Sequence, residues 1–443
     1  MTKNILFIAA ILTSTFAFSQ KQWTLKEAVD QALEKNISIR QNRLSVELSI
    51  KDVAISKGNF LPNVNGSSSA NFNSGLSPDE NGILRNTNNL NTSFNLGGGG
   101  NIFNGYRNLN SYKRAQLGVE SSKYNLEVIE NDISLFVVNG YLNVLFAKEN
   151  LEVAKVQYDI SKKQVEAADA RFKAGAVAKN DLLNAKSTVA NDLQNVITQE
   201  NALNIALLNL AQTIQVPIAN FDVAPIEIDT PSADLLYNDS NIVFDKALIN
   251  RPEIERAKLN IESSELDIKI AKGAYLPTLS YNFGIGTSFF YQFNNLLPGQ
   301  TNKDFSDQIV DRFQYGAGLS LNIPIFNRNQ TKNNVDKSII NKQVSQIALE
   351  NERIQLKQTI EQAFLDVKAA LKSYEAAKIS LEAQEEAFKN AEESFNYGAM
   401  TLFDFDLIRN RLVSAESTLI RAKYDYVFKT KVLEFYAGDL VFD

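Results

Sequence analysis

The chain has 443 residues, a formal net charge of −6, and neither histidine nor cysteine. Those absences remove disulfides, thiol nucleophiles, the usual zinc ligands and the commonest general base, and the acidic balance speaks against a nucleic-acid partner. An enzyme would have to work with carboxylates alone, and no metal site or cofactor is expected.

The first segment opens with Lys3 and then runs apolar from Ile5 to Phe18. This pattern predicts a secretory signal peptide over residues 1–19, with Ala17 and Ser19 suited to the cleavage site. A membrane anchor is the alternative, but the run is shorter than the ~20 residues a spanning helix needs. No other segment approaches that length without charges, so any further membrane span must be β.

A first repeat is expected over residues 20–212: a helix, strands at 62–73 and 90–103, and a long helical hairpin over 107–212. Residues 213–240 hold Pro217, Pro225 and Pro231 and read as a connector. A second repeat follows over 241–443, with a helix, strands at 278–291 and 313–326, and a hairpin over 329–437. The duplication can be read directly. Gly58-Asn59-Phe60-Leu61-Pro62 returns as Gly273-Ala274-Tyr275-Leu276-Pro277, 215 positions on (277 − 62 = 215). Ile102-Phe103-Asn104 returns as Ile325-Phe326-Asn327, 223 positions on (325 − 102 = 223). The second offset continues through Phe172/Phe395, Gly175/Gly398 and Asp181/Asp404, as an internal repeat requires. The eight residues gained (223 − 215 = 8) fall in the polar stretch around 297–311, which is expected to be a solvent-facing loop.

The strands alternate. Phe313, Tyr315, Ala317, Leu319, Leu321 and Ile323 interleave with Gln314, Gly316, Gly318, Ser320 and Asn322. A period of two gives a strand one apolar and one small polar face. None of the four expected strands contains a charge, in a chain that is 22% Asp, Glu, Lys and Arg. Each is long enough to cross a bilayer core, which takes ~9–11 tilted residues. Four strands cannot close a barrel, and lipid does not tolerate an open edge. The chain must therefore oligomerise if these strands span a membrane. Faces of Ser, Asn, Gly and Gln fill little space, which favours twelve strands from three copies over a plugged barrel of two. Tyr281, Phe283, Phe289, Tyr291, Phe313 and Tyr315 lie near strand ends and suit a lipid-interface girdle, with ordinary core packing as the alternative.

The stretch from Arg107 to Arg171 contains no proline and, as one helix, would be about 100 Å long. In the second repeat Ile360, Phe364, Val367, Leu371 and Tyr374, then Leu381, Gln384, Phe388, Ala391 and Phe395, keep the three-four spacing of coiled-coil packing. The predicted fold class is an α+β membrane protein. Four transmembrane strands per chain enter a trimeric twelve-stranded barrel, which a long antiparallel α-helical coiled-coil barrel continues. At the hairpin turns, Gly175 and Gly398 suit left-handed helix caps, and Asp181 and Asp404 suit the start of the return helices.

The two turns, RFKAGAVAKNDLLNAKSTVANDL and SFNYGAMTLFDFDLIRNRL, together with the ordered strand-helix duplication, resemble the TolC-like outer-membrane efflux family. The resemblance covers the chain beyond the signal segment. It implies an outer-membrane location with the helical part in the periplasm, a homotrimer, a periplasmic membrane-fusion adaptor and an inner-membrane pump of the RND or ABC type. It implies a passive duct for efflux or type I secretion, surrounded by outer-membrane lipid. By the same resemblance the tips at Gly175, Ala176, Gly398 and Ala399 would meet the adaptor. Asp404, with Asp406 and Asp181 beside it, would line the periplasmic aperture. Asp404 matches the family's first constriction aspartate, whereas the second falls at Leu407, one residue after Asp406. The family's tip arginine is Met400 here and its tyrosine is Phe395. Two rival readings stand beside this one: an exported coiled-coil structural or adhesive protein with a soluble β-sandwich, and a hydrolase built only on carboxylates.

Overall fold

The computed structural model describes residues 22–78, 82–226, 237–294 and 301–439. The expected signal segment, residues 227–236 of the connector and residues 295–300 lie outside that range. The described chain divides into two compact units. One comprises the described residues of Met1–Leu44 with Tyr124–Ile254 and Asn351–Asp443, and the other Ser45–Lys123 with Glu255–Glu350.

The first half of the chain runs β1 (Gln22–Trp23), α1 (Leu25–Lys35), α2 (Ile37–Gly58), β2 (Asn63–Pro78), β3 (Leu84–Phe103), α3 (Arg107–Lys173), α4 (Lys179–Thr213) and β4 (Asp222–Val223). The second half runs α5 (Ser240–Asn250), α6 (Pro252–Gly273), β5 (Thr278–Gln292), α7 (Phe305–Asp311), β6 (Gln314–Asn322), α8 (Gln330–Asn396) and α9 (Leu402–Ala437). Among the described residues no helix is long and apolar enough to cross a membrane.

In the second unit, β2, β3, β5 and β6 form one sheet in that order, with each neighbour antiparallel. Three strand ends differ from the sequence pattern. β2 continues to Pro78 and β3 starts at Leu84, because backbone pairing such as Leu76 with Asn86 persists where side-chain alternation has faded. This brings one charge, Arg85, into a strand. β6 ends at Asn322 rather than 326, since Pro324 has no N–H to give the ladder. The stretch expected as a solvent-facing loop holds α7, whose Gln308 is buried against the sheet edge.

The strand-to-helix junctions cross at two glycines. Gly105 has φ +69°, and a Cβ there would lie 2.1 Å from the Gly273 carbonyl oxygen. A Cβ on Gly273 would in turn meet the Gly105 oxygen at 2.4 Å. Only glycine permits this backbone-on-backbone approach. The equivalent position in the first repeat, Gly58, has nothing within 4 Å, so the duplicated motif has kept the residue but not the constraint.

In the first unit the core gathers Ala28, Val29, Ala32, Val137, Tyr141, Val144, Leu210 and Ile214. α1 starts on a capping box: the Thr24 hydroxyl accepts from Glu27 N–H at 3.2 Å, and the Glu27 carboxylate accepts from Thr24 N–H at 3.1 Å. β1 and β4 pair in parallel, and the Tyr141 hydroxyl joins them, 2.9 Å from Trp23 O and 2.7 Å from Ala224 O. Burial, with the Asp222 charge, pushes the Tyr141 phenol up to about 12. Along α8 the coiled-coil spacing becomes a buried seam at Ile360, Val367, Leu371, Tyr374 and Ala391.

Candidate functional site

The two helical turns of the first unit are built alike. Gly175 and Gly398 both have φ +75°. Gly175 N–H bonds Phe172 O and Ala176 N–H bonds Arg171 O, both at 2.9 Å. Gly398 N–H bonds Phe395 O at 3.1 Å and Ala399 N–H bonds Ser394 O at 2.9 Å. This is a left-handed cap that satisfies the last carbonyls of α3 and α8. Both aspartates then serve the return helices. The Asp181 carboxylate accepts from Ala178 N–H at 3.2 Å. The Thr401 hydroxyl accepts from Asp404 N–H at 3.2 Å and donates to Asp404 Oδ2 at 2.7 Å. Carboxylates in a first helical turn also face the positive end of the helix dipole. Asp404 remains exposed.

Asp406 turns the other way. Its Oδ2 accepts from the Thr188 hydroxyl at 3.1 Å, and its Oδ1 lies 3.6 Å from Arg409 Nη2. Arg409 is only 1% exposed. Its Nη1 donates to Gln164 Oε1 at 3.0 Å and its Nη2 to Asp192 Oδ2 at 3.4 Å. Hydrogen-bonding logic turns the Gln157 amide oxygen to the same guanidinium, where it accepts from Nε at 2.7 Å. One arginine of α9 thus binds α3 through two glutamines and α4 through Asp192. Burial raises the Asp406 carboxyl above its ordinary range; Arg409 and then Thr188 oppose the rise, and Asp192 adds to it.

Arg409, Thr188, Asp192 and Gln164 were not singled out from sequence. The available signal was a charge at Arg409, four residues after buried Phe405 and six before buried Ala415, on the apolar face of its helix. Beside this cluster lies a cleft of about 870 Å³ whose lining includes Arg171, Phe388, Phe395, Tyr397, Met400 and Phe405. Phe395 stacks on Phe405 at 4.8 Å, and the Arg171 guanidinium sits 5.4 Å from the Phe395 ring centre. The position that lacks a tyrosine hydroxyl is filled here by ring packing.

In the second unit the strand register sorts the sheet into two faces. Leu96 pairs with Ile285, Phe94 with Thr287 and Leu90 with Tyr291, while Phe283 opposes Ala317 and Tyr281 opposes Leu319. These residues share one face with Val64 and Phe72. The other face carries Asn63, Asn65, Ser67, Asn95, Asn282, Ser288, Gln314 and Ser320. Of the aromatics expected at a lipid interface, Tyr281, Phe283, Phe289, Tyr291 and Tyr315 lie on the apolar face; Phe313 is exposed just ahead of β6. A chain of rings extends the set: Phe94 to Phe305 (6.4 Å), Phe305 to Phe289 (5.2 Å), Phe289 to Tyr291 (6.2 Å), Tyr291 to Phe293 (4.9 Å) and Phe293 to Phe72 (5.8 Å). Tyr315, 83% exposed, shows how little of this apolar face its own chain covers. Among the described residues, the outer edges of β2 and β6 have no strand beside them.

The family model described as outer membrane efflux protein matches residues 28–214 and 243–439. The chain belongs to the outer membrane efflux protein family. It is 22% identical over 432 residues to outer membrane protein TolC of Escherichia coli, covering 96% of this chain and 84% of TolC. It is 23% identical to the outer membrane efflux protein BepC of Brucella suis, over 97% of this chain and 88% of the relative. In fold it is similar to the CmeC outer membrane channel of Campylobacter jejuni, with a TM-score of 0.73, 20% identity, and coverage of 94% of this chain and 86% of that one. As a family member, this protein is an outer-membrane channel protein of efflux.

Proposed function

We propose that three copies of this efflux protein form a closed twelve-stranded barrel in the outer membrane and act as the passive exit duct of a three-part assembly. A periplasmic adaptor would dock on the tips around Gly175, Ala176, Gly398 and Ala399, and an inner-membrane pump of the RND or ABC type would supply the free energy. The duct itself carries out no reaction. The observation that carries this reading is the sheet: one face apolar and largely half-exposed, the other polar with Arg85 as its one strand charge, and, among the described residues, no strand beside either outer edge. Lipid forbids such edges, and further copies are what could close them. The polar face then becomes a wet wall too thinly furnished to plug a barrel of this width.

Three exposed Asp404 carboxylates would ring the periplasmic aperture and favour cations there. Asp406 is assigned a different role, holding α9 closed against α3 and α4 through Arg409. Two measurements test the proposal. Detergent-extracted protein should run as a trimer, and a detergent-free monomer would favour the soluble-sandwich reading. In planar bilayers Asp404→Ala should weaken block by divalent cations severalfold, and unchanged block would remove the ring from the account.

A further inference from the structure

β5 outruns β6. Their pairing ends at Gly286 with Gln314, yet β5 continues to Gln292. On the vacated side stands α7 with the residues ahead of it. Gln308 Nε2 donates to Phe290 O at 2.9 Å, and Gln308 Oε1 accepts from Phe290 N–H at 3.0 Å. Asn302 does the same for Gln292, donating at 2.8 Å and accepting at 2.9 Å. In an antiparallel ladder two opposed residues exchange both bonds. A primary amide carries an acceptor oxygen and donor hydrogens together, so a single side chain can reproduce that exchange.

A related arrangement stands one strand inward, where one amide spans two residues of the strand. Pairing of β3 with β5 ends at Asn89 with Gln292. There Asn294 Oδ1 accepts from Asn88 N–H at 2.5 Å and Asn294 Nδ2 donates to Asn86 O at 3.1 Å. These amides are held in place. Gln308 is 3% exposed and also donates to Lys303 O at 2.8 Å. Lys303 pairs with Asp311 at 2.7 Å across α7, and Phe305 rests on Phe289. Among the described residues, no such amide covers the outer edges of β2 or β6.

We propose that Asn294, Asn302 and Gln308 form an edge guard, which confines strand pairing with further copies of this chain to the outer edges of β2 and β6. The stretch Ser288–Gln292 is uncharged, rich in aromatics and free of proline. Left open, such an edge is a template for another chain. With it closed, the register at which copies meet is set by β2 and the nine residues of β6. This inference rests on the strand-closed assembly proposed above.

Backbone hydrogen exchange on the full chain in detergent tests it, using Gln308→Met and Asn302→Leu singly and together. Methionine keeps the shape of glutamine without its polar atoms. Exchange should quicken by about tenfold or more at Phe290 in the first variant and at Gln292 in the second, with Tyr281–Ile285 unchanged. Gln308→Glu keeps the shape but sets an acceptor-only oxygen against the Phe290 and Lys303 carbonyls, so exchange at Phe290 should quicken there too, which a space-filling role would not predict. The double variant should also give species larger than the wild type by light scattering. Exchange unchanged within about twofold overturns the guard. Faster exchange without larger species overturns the confinement of pairing. A wild type that runs as a single chain would defeat the trimeric duct, yet the exchange data would still decide whether the amides close the edge.

Discussion

Asp404 and Asp406 stand two residues apart and do opposite things. Successive helical residues are turned by ~100°, so the two side chains point about 200° apart. One is an exposed part of a helix start; the other is drawn inward by Arg409 and Thr188. Arg409→Ala would leave the half-buried Asp406 and Asp192 without their cation, and should lower stability by ~3 kcal/mol, the lower end for a broken buried pair, read as a fall in thermal midpoint in detergent. A midpoint within a degree of wild type would show the cluster to be ornamental. The raised pKa of Asp406 has a definite sign. The folded chain keeps a proton that the unfolded chain has released, so stability falls as pH rises from the unfolded value, ~3.9, to the folded one and is level above it. Asp406→Asn removes that step. Relative to this variant the wild type should therefore gain stability between pH 7 and pH 4, and a constant difference in midpoint would reject the assignment. At the tips, Gly398→Ala forces a side chain into φ +75° and should cost about 1 kcal/mol, as should Gly175→Ala.

Among the elements, the helix seams and the strand alternation were legible from residue spacing, because burial on one face imposes its own period. Strand ends were less so. β2 and β3 pair on through Asn86–Asn89, where apolar alternation has faded and cross-strand side-chain bonds, Ser74 to Asn88 at 2.7 Å and Asn73 to Asn89 at 3.2 Å, join the backbone ladder. The two glycines at the strand-helix crossings show the same limit. Gly58 and Gly273 occupy equivalent places in the repeat, but only Gly273 is pressed against another backbone. Gly105→Ala should thus cost ~1–3 kcal/mol through a clash in which neither backbone can yield, while Gly58→Ala should be near neutral. Thermal midpoints of the two variants compare them directly, and equal effects would refute the crowding.

For the whole molecule, the proposed duct sets two conditions on the sheet: lipid on one face and water on the other. The two faces themselves were readable from residue spacing, since a charge-free alternating stretch such as Phe313–Ile323 needs no partner to declare them. The ordered duplication was equally open to inspection and carried the family. Tertiary structure decided what depends on residues far apart in the chain. Gln164 and Asp192, which Arg409 binds, lie more than two hundred positions away, on other helices. The amides that finish β5, Asn302 and Gln308, come from a stretch read only as a polar loop. Local pattern records which face a residue must bury. It does not record what stands opposite once buried, because hydrogen bonds between side chains depend on distances that only the folded chain sets.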